Sequence, residues 1–122
     1  MKIVVAGSRN YRDYYEAKKY IDSCVNEIGR DNTFVFISGG CKGADELGER
    51  YAAENGFEIE RYPAEWSKFG KSVGPVRNKA MAEAADFVIC FWDGKSRGTK
   101  SMIELAEKEG KTVRIKIVSR TQ

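Results

Sequence analysis

Four short glycine-centred segments recur along this chain, and this repeated join restricts its fold more than any other feature. Gly7-Ser8-Arg9 follows the apolar run 2–6, Ser38-Gly39-Gly40-Cys41-Lys42-Gly43-Ala44-Asp45 follows 33–37, and Asp93-Gly94-Lys95-Ser96-Arg97-Gly98-Thr99 follows 86–92. Gly74-Pro75-Val76-Arg77-Asn78 stands further from its strand. In an open α/β sheet the loops leaving the carboxyl ends of strands converge on one crevice, where glycines let backbone amides approach a phosphate. The pattern predicts a site for a phosphorylated ligand, with a nucleotide as the natural class.

The segments between the glycines alternate in period. KIVVA (2–6) reads as a buried central strand. Tyr14, Ala17, Lys18, Ile21, Cys24, Val25 and Ile28 then recur at helical spacing, with Asp13 as N-cap and Gly29 as stop. TFVFI (33–37) predicts a second strand, 44–55 a helix with Leu47, Tyr51 and Ala52 on one face, and EIERY (58–62) a weaker third strand. After an irregular stretch, Pro75 enters the first turn of a helix to about 85; a strand at 86–92, a helix at 99–109 and a strand at 112–118 complete the pattern. In the last strand Val113, Ile115 and Ile117 alternate with Arg114 and Lys116, predicting an edge with one buried face and basic side chains that discourage aggregation. The expectation is one α/β domain over 1–122, a Rossmann-like, doubly wound, mostly parallel five-stranded sheet of order 3-2-1-4-5.

The chain has 122 residues, three cysteines and no histidine. Cys24 and Cys90 fall in apolar stretches and read as small hydrophobes, whereas Cys41 lies in a glycine loop that opens a helix, a setting that can lower a thiol pKa. With no CxxC spacing, no apolar run near ~20 residues and Met1 leading straight into a strand, the reading is a soluble cytoplasmic protein with no membrane association. The net charge of +3, mixed along the chain, is too weak a field to argue by itself for nucleic acid, which is not the expected partner. Without imidazole there are no Ser-His or Cys-His pairs and no histidine-ligated zinc; neither a metal nor a cofactor is expected.

The candidate site residues follow from the loops. In the second segment the amides of Gly39, Gly40 and Gly43 can face an anion while Ser38 offers a hydroxyl and Lys42 a charge; it matches neither GxxxxGK[ST] nor GxGxxG. Ser8 and Arg9 leave the first strand beside the expected switch point, so Arg9 either forks onto an anion or pairs with Asp13. Asp93, Gly94, Ser96, Gly98 and Thr99 form a second phosphate cradle. Trp66 lies in a connection longer than the fold needs, and either stacks on a base or packs on its own helix. Arg77 and Asn78, placed on the first turn of a helix, point toward phosphate and ribose.

In these segments the sequence resembles the SLOG superfamily, the Rossmann-like group that contains the Lonely Guy phosphoribohydrolases and the DprA-type DNA-processing proteins. It is most similar to the small YspA-like branch, whose pattern runs GSR, SGGxxGAD, PAxW with a YGK-like turn, GPxRN with a methionine three residues on, and WDGxSxGT. The matches are Gly7-Ser8-Arg9, Ser38-Gly39-Gly40 with Gly43-Ala44-Asp45, Pro63-Ala64 with Trp66, Phe69-Gly70-Lys71, Gly74-Pro75 with Arg77-Asn78 and Met81, and Trp92-Asp93-Gly94 with Ser96 and Gly98-Thr99. The resemblance implies binding of a nucleotide or a nucleotide-derived molecule, ADP-ribose-like or a nucleoside phosphate, and association as a homo-oligomer, most simply a dimer. Lonely Guy enzymes carry PGGxGTxxE with a catalytic glutamate, and that position here is Met102. Glu104 lies two residues on, about 200° around a helix, and faces away.

Three readings stand on these residues. The first is a sensor or sequestering module without catalysis. The second is a phosphoribohydrolase-like enzyme cleaving an N-glycosidic bond with Asp45, Asp93 or Glu65 in place of the missing glutamate. The third, by analogy with DprA, is binding of single-stranded DNA.

Overall fold

A strand at the centre of a sheet covered on both sides needs apolar side chains in both directions, and β1 (Lys2–Gly7) supplies them: Ile3, Val4 and Val5 are each at most 1% exposed. The computed structural model describes residues 1–62 and 73–119. The expectations placed on Pro63, Ala64, Glu65, Trp66 and the Phe69-Gly70-Lys71 turn therefore lie outside the described residues. β1 is followed by α1 (Tyr14–Ile28), β2 (Val35–Ser38), α2 (Ala44–Glu54), β3 (Glu58–Arg61), α3 (Val73–Ala84), β4 (Phe87–Trp92), α4 (Arg97–Lys108) and β5 (Thr112–Ile117). The sheet has the order β3-β2-β1-β4-β5, as expected, and every neighbouring pair is parallel. The chain steps outward from β1 to β3 and then returns to lay β4 along the other side of β1. The topological switch point thus falls between β1 and β4.

Alternation along the strands divides the interior into two layers. Ile3, Val5, Phe36, Ile89 and Phe91 face α1 and α2, which bring Ile21, Val25 and Tyr51. Val4, Ala6, Ile37, Val88 and Cys90 face α3 and α4, which bring Met81, Ala82, Met102 and Ile103. α1 starts as its sequence predicts, with the Asp13 carboxylate accepting the Glu16 N–H at 3.0 Å.

Two local expectations are corrected. α3 begins at Val73, which moves Arg77 and Asn78 from the first helical turn to the second, where backbone amides are committed to the helix. β5 is an edge strand, but its alternating apolar face is not uniformly buried: Val113 joins the α4-side core while Ile115 and Ile117 are 39% and 63% exposed. An edge strand has one neighbour, and α4 spreads its packing over β4 and β1 as well as β5. On the opposite face Arg114 pairs with Glu27 of α1 and lies 5.6 Å from the centre of the Phe87 ring, so this basic side chain is partly covered.

The close seating of α2 on β1 depends on Gly48. A Cβ at that position would come 2.6 Å from the Val5 Cβ. Helix propensity alone favours alanine over glycine by about 1 kcal/mol, whereas forcing a methyl group into a packed layer costs about 1–3 kcal/mol. The clash should win, because both partners are fixed by backbone. Gly48→Ala is expected to lower the urea midpoint despite improving helix propensity; a midpoint at or above wild type would mean that α2 can lift from β1 at little cost.

Candidate functional site

The loops after β1, β2 and β4 are fastened together before they form any cavity. Ser8 N–H donates to the Phe91 carbonyl at 3.0 Å, and the Ser8 carbonyl accepts the N–H groups of Tyr11 at 3.3 Å and Ala44 at 3.2 Å. Gly43, with φ 83°, lies so close that a Cβ would run into the carbonyls of Ser8 and Arg9. Tyr11 seals the underside, stacked on Phe91 with ring centres 5.0 Å apart and donating its hydroxyl to Glu16 at 2.7 Å.

Above this junction, at the switch point, is a crevice of about 360 Å³. Gly7, Ser8 and Arg9 line it from the β1 loop, Asp45 from α2, and Arg77 and Asn78 from α3. Asp93, Ser96, Gly98 and Thr99 line it from the fourth segment. Ser38, Gly39, Gly40, Lys42, Gly43 and Gly94 are not among its lining residues. The wall also includes Ala6, Asn10, Cys41, Met81 and Met102, which lie outside the sequence-predicted site. Helical spacing carried a signal for two of these: Met81 is one turn beyond Arg77, and Met102 is three residues after Thr99. The position of the absent glutamate thus does face the crevice, and a thioether stands there.

The second glycine segment is self-capped and does not form the open anion cradle its glycines suggest. The Gly40 amide donates to Ser38 Oγ at 3.0 Å, the Cys41 amide to Asp45 Oδ2 at 3.4 Å and the Gly43 amide to Glu46 Oε1 at 3.1 Å. Ser38 gives its own proton to Glu49 at 2.6 Å. α4 is the opposite case. Its first turn has no acidic residue, and its first intrahelical bond runs from Lys100 N–H to the Ser96 carbonyl at 3.1 Å. The amides of Arg97, Gly98 and Thr99 are therefore left as first-turn donors without an acceptor among the described residues. Asp93 shapes this turn by accepting the amides of Lys95 at 2.8 Å and Ser96 at 2.7 Å.

Two buried polar atoms at the crevice lack a partner among the described residues: Ser8 Oγ and Arg77 Nε. Ser8 is only 5% exposed. Arg77 and Asn78 together link the β2 and β4 loops. Arg77 Nη1 donates to the Gly39 carbonyl and to Cys41 Sγ, each at 3.3 Å, and its Nη2 to Asn78 Oδ1 at 3.4 Å. Asn78 in turn donates to the Gly98 carbonyl at 3.4 Å. Cys24 and Cys90 behave as apolar filler, their thiols pushed by burial up to about 11 and about 12. Among the described residues no group of three or more Cys, Asp and Glu side chains could hold a metal ion, and no helix is long and apolar enough to cross a membrane.

Asp45 is 5% exposed, and burial pushes its carboxyl up to about 6, partly opposed by the Cys41 and Gly39 amides and by Arg77. Because the folded state holds this proton more tightly than the unfolded chain, the contribution of Asp45 to stability is greatest below the ordinary carboxyl range and declines as the pH rises from about 4 to about 6. Asp45→Asn removes the ionisation. The variant is expected to exceed wild type by about 1–3 kcal/mol at pH 7.5, with the gain shrinking toward pH 4, in urea titrations at both values. A gain independent of pH would assign the effect to something other than the buried charge.

Comparison with known proteins agrees with this architecture. The YspA, cpYpsA-related SLOG family matches residues 1–69. Gene 61 protein of Mycobacterium phage D29 is 32% identical over 116 residues, covering 89% of this chain and 90% of that protein. The X-ray structure of DNA processing protein A (DprA) from Streptococcus pneumoniae superposes with a TM-score of 0.71 at 23% identity, over 93% of this chain and 49% of that one. This chain thus spans about half of that DprA chain, and the likeness is one of fold. With its glycine loops gathered at the β1–β4 switch point and the family's sequence pattern running through β1, β2 and β3, the chain belongs to the YspA, cpYpsA-related SLOG family.

Proposed function

We propose that the crevice binds a nucleotide or nucleotide-derived phosphate ester, ADP-ribose-like or a nucleoside phosphate, and that the chain acts as a sensor or sequestering module. The observation that carries this reading is the buried, unpartnered Ser8 hydroxyl in the same crevice as the uncapped, acid-free first turn of α4. An anion there accepts the free amides and gains from the helix dipole. Arg77 and Arg9 add positive charge, while Ala6, Met81 and Met102 offer an apolar wall to a sugar or base. Binding without cleavage follows from Met102, since glycosidic cleavage needs carboxylates set around the reacting carbon. Of the two carboxylates that line the crevice among the described residues, Asp93 is engaged by the amides of its own turn.

Calorimetry against AMP, ADP and ADP-ribose, with chromatography of the same mixtures over time, tests the reading. Ser8→Ala is expected to weaken binding by about 1 kcal/mol without lowering the melting temperature, since it deletes an unpaired buried hydroxyl. Arg77→Ala should weaken it by about 1.5–3 kcal/mol, the size of a charge-assisted hydrogen bond. Failure of every phosphorylated ligand to bind removes the proposal. Free base accumulating with time replaces it with the hydrolase, and a salt-dependent shift of single-stranded DNA replaces it with the third reading.

A homodimer belongs to the same proposal, supported by Ile115 and Ile117 exposed on the β5 edge. Light scattering should return twice the chain mass at micromolar concentration, and the monomer mass throughout that range would remove this part.

A further inference from the structure

Asp45 is a buried carboxylate held by the Cys41 and Gly39 backbone amides with no closed ion pair, and this specifies what suits the space beside it. It lines the crevice, is 95% buried by its 5% exposure, and its hydrogen bond from Cys41 N–H is long at 3.4 Å. The nearest cation does not close an ion pair with it: the two Nη atoms of Arg77 go to Gly39, Cys41 and Asn78, and no Asp45–Arg77 contact falls within salt-bridge distance. A buried carboxylate so placed gains most from a neutral hydrogen-bond donor, and repels a phosphate. The crevice is therefore polarised. The amides of α4 favour an anion at one wall, and Asp45 favours a donor at the wall reached through Asn78 and Arg77.

We propose, resting on the nucleotide reading of this crevice, that Asp45 accepts hydrogen bonds from the sugar hydroxyls of the ligand and makes the site selective for ribonucleotides over 2′-deoxyribonucleotides. In a nucleoside phosphate the neutral donors are the sugar hydroxyls and the N–H groups of the base. The hydroxyls lie nearer the phosphate, and a vicinal pair matches the two oxygens of one carboxylate. A site built to hydrogen-bond a hydroxyl discriminates strongly against the analogue lacking it, because its own polar group is then left unpaired.

The test is calorimetry of the full chain with AMP, dAMP and IMP at pH 7.5. Wild type should bind AMP at least about tenfold more tightly than dAMP, and AMP and IMP within a few-fold of each other. In Asp45→Ala the AMP-to-dAMP ratio should fall to near one; Asp45→Asn keeps the shape of the side chain and should reduce the ratio should the alanine variant fold poorly. A purely structural Asp45 would not move the pH profile, whereas here the ribose preference should fade as the pH drops through about 6 in wild type and not in Asp45→Asn. The groups whose charges act on Asp45 are Arg77 from α3, Glu49 from α2 and, through its thiol, Cys90 from β4; the Cys41 and Gly39 amides also reach it. Equal binding of AMP and dAMP by wild type, a ribose preference surviving in Asp45→Ala, or an Asp45-dependent preference for AMP over IMP in place of the ribose preference would overturn this inference alone. Binding of none of the three would overturn this inference, and the nucleotide reading falls with it when ADP and ADP-ribose also fail to bind.

Discussion

The junction at Ser8 governs the geometry of everything above it. Its amide is tied to β4 through Phe91 and its carbonyl to α2 through Ala44, so one residue couples the strands on either side of the switch point to the helix that carries Asp45. Such coupling requires backbone to approach backbone more closely than side chains allow, which is why Gly7 and Gly43 flank it on the two loops. The crevice is consequently supported from below by backbone hydrogen bonds and a stacked Tyr11–Phe91 pair.

The two helix N-termini beside the crevice have the same dipole and opposite chemical states. α2 carries Asp45 and Glu46 in its first turn, and its preceding loop spends its amides on its own oxygens. α4 has no acid in its first turn and no side-chain cap from Ser96. Dipole and free donors thus add at α4, whereas at α2 they are already offset by fixed negative charge. A ligand that carries both an anion and a neutral donor has one orientation that satisfies both walls, with Arg77 and Asn78 linking the two loops between them. Met102 completes the contrast with the glycosidase pattern, since a thioether can contact a ligand but cannot move a proton.

Much of the fold is legible in the sequence. Apolar runs of strand length broken by glycine, alternating with helical period, determine a parallel α/β sheet, because a strand buried on both faces must be covered by helices on both sides. Ser8, Asp45, Arg77, Asn78 and Thr99 were marked by lying on those loops, and all five line the crevice. That Met102 replaces a carboxylate was likewise a matter of spacing alone. What the sequence could not reveal was which glycine segment remains open to an anion. SGGCKGAD looks the richer cradle, yet hydrogen bonds from its amides to Ser38, Asp45 and Glu46 depend on local loop geometry that composition does not encode. The exposure of Ile115 and Ile117, the raised pKa of Asp45 and the orphaned Ser8 hydroxyl were decided only in three dimensions, because burial and partner geometry arise from residues distant along the chain.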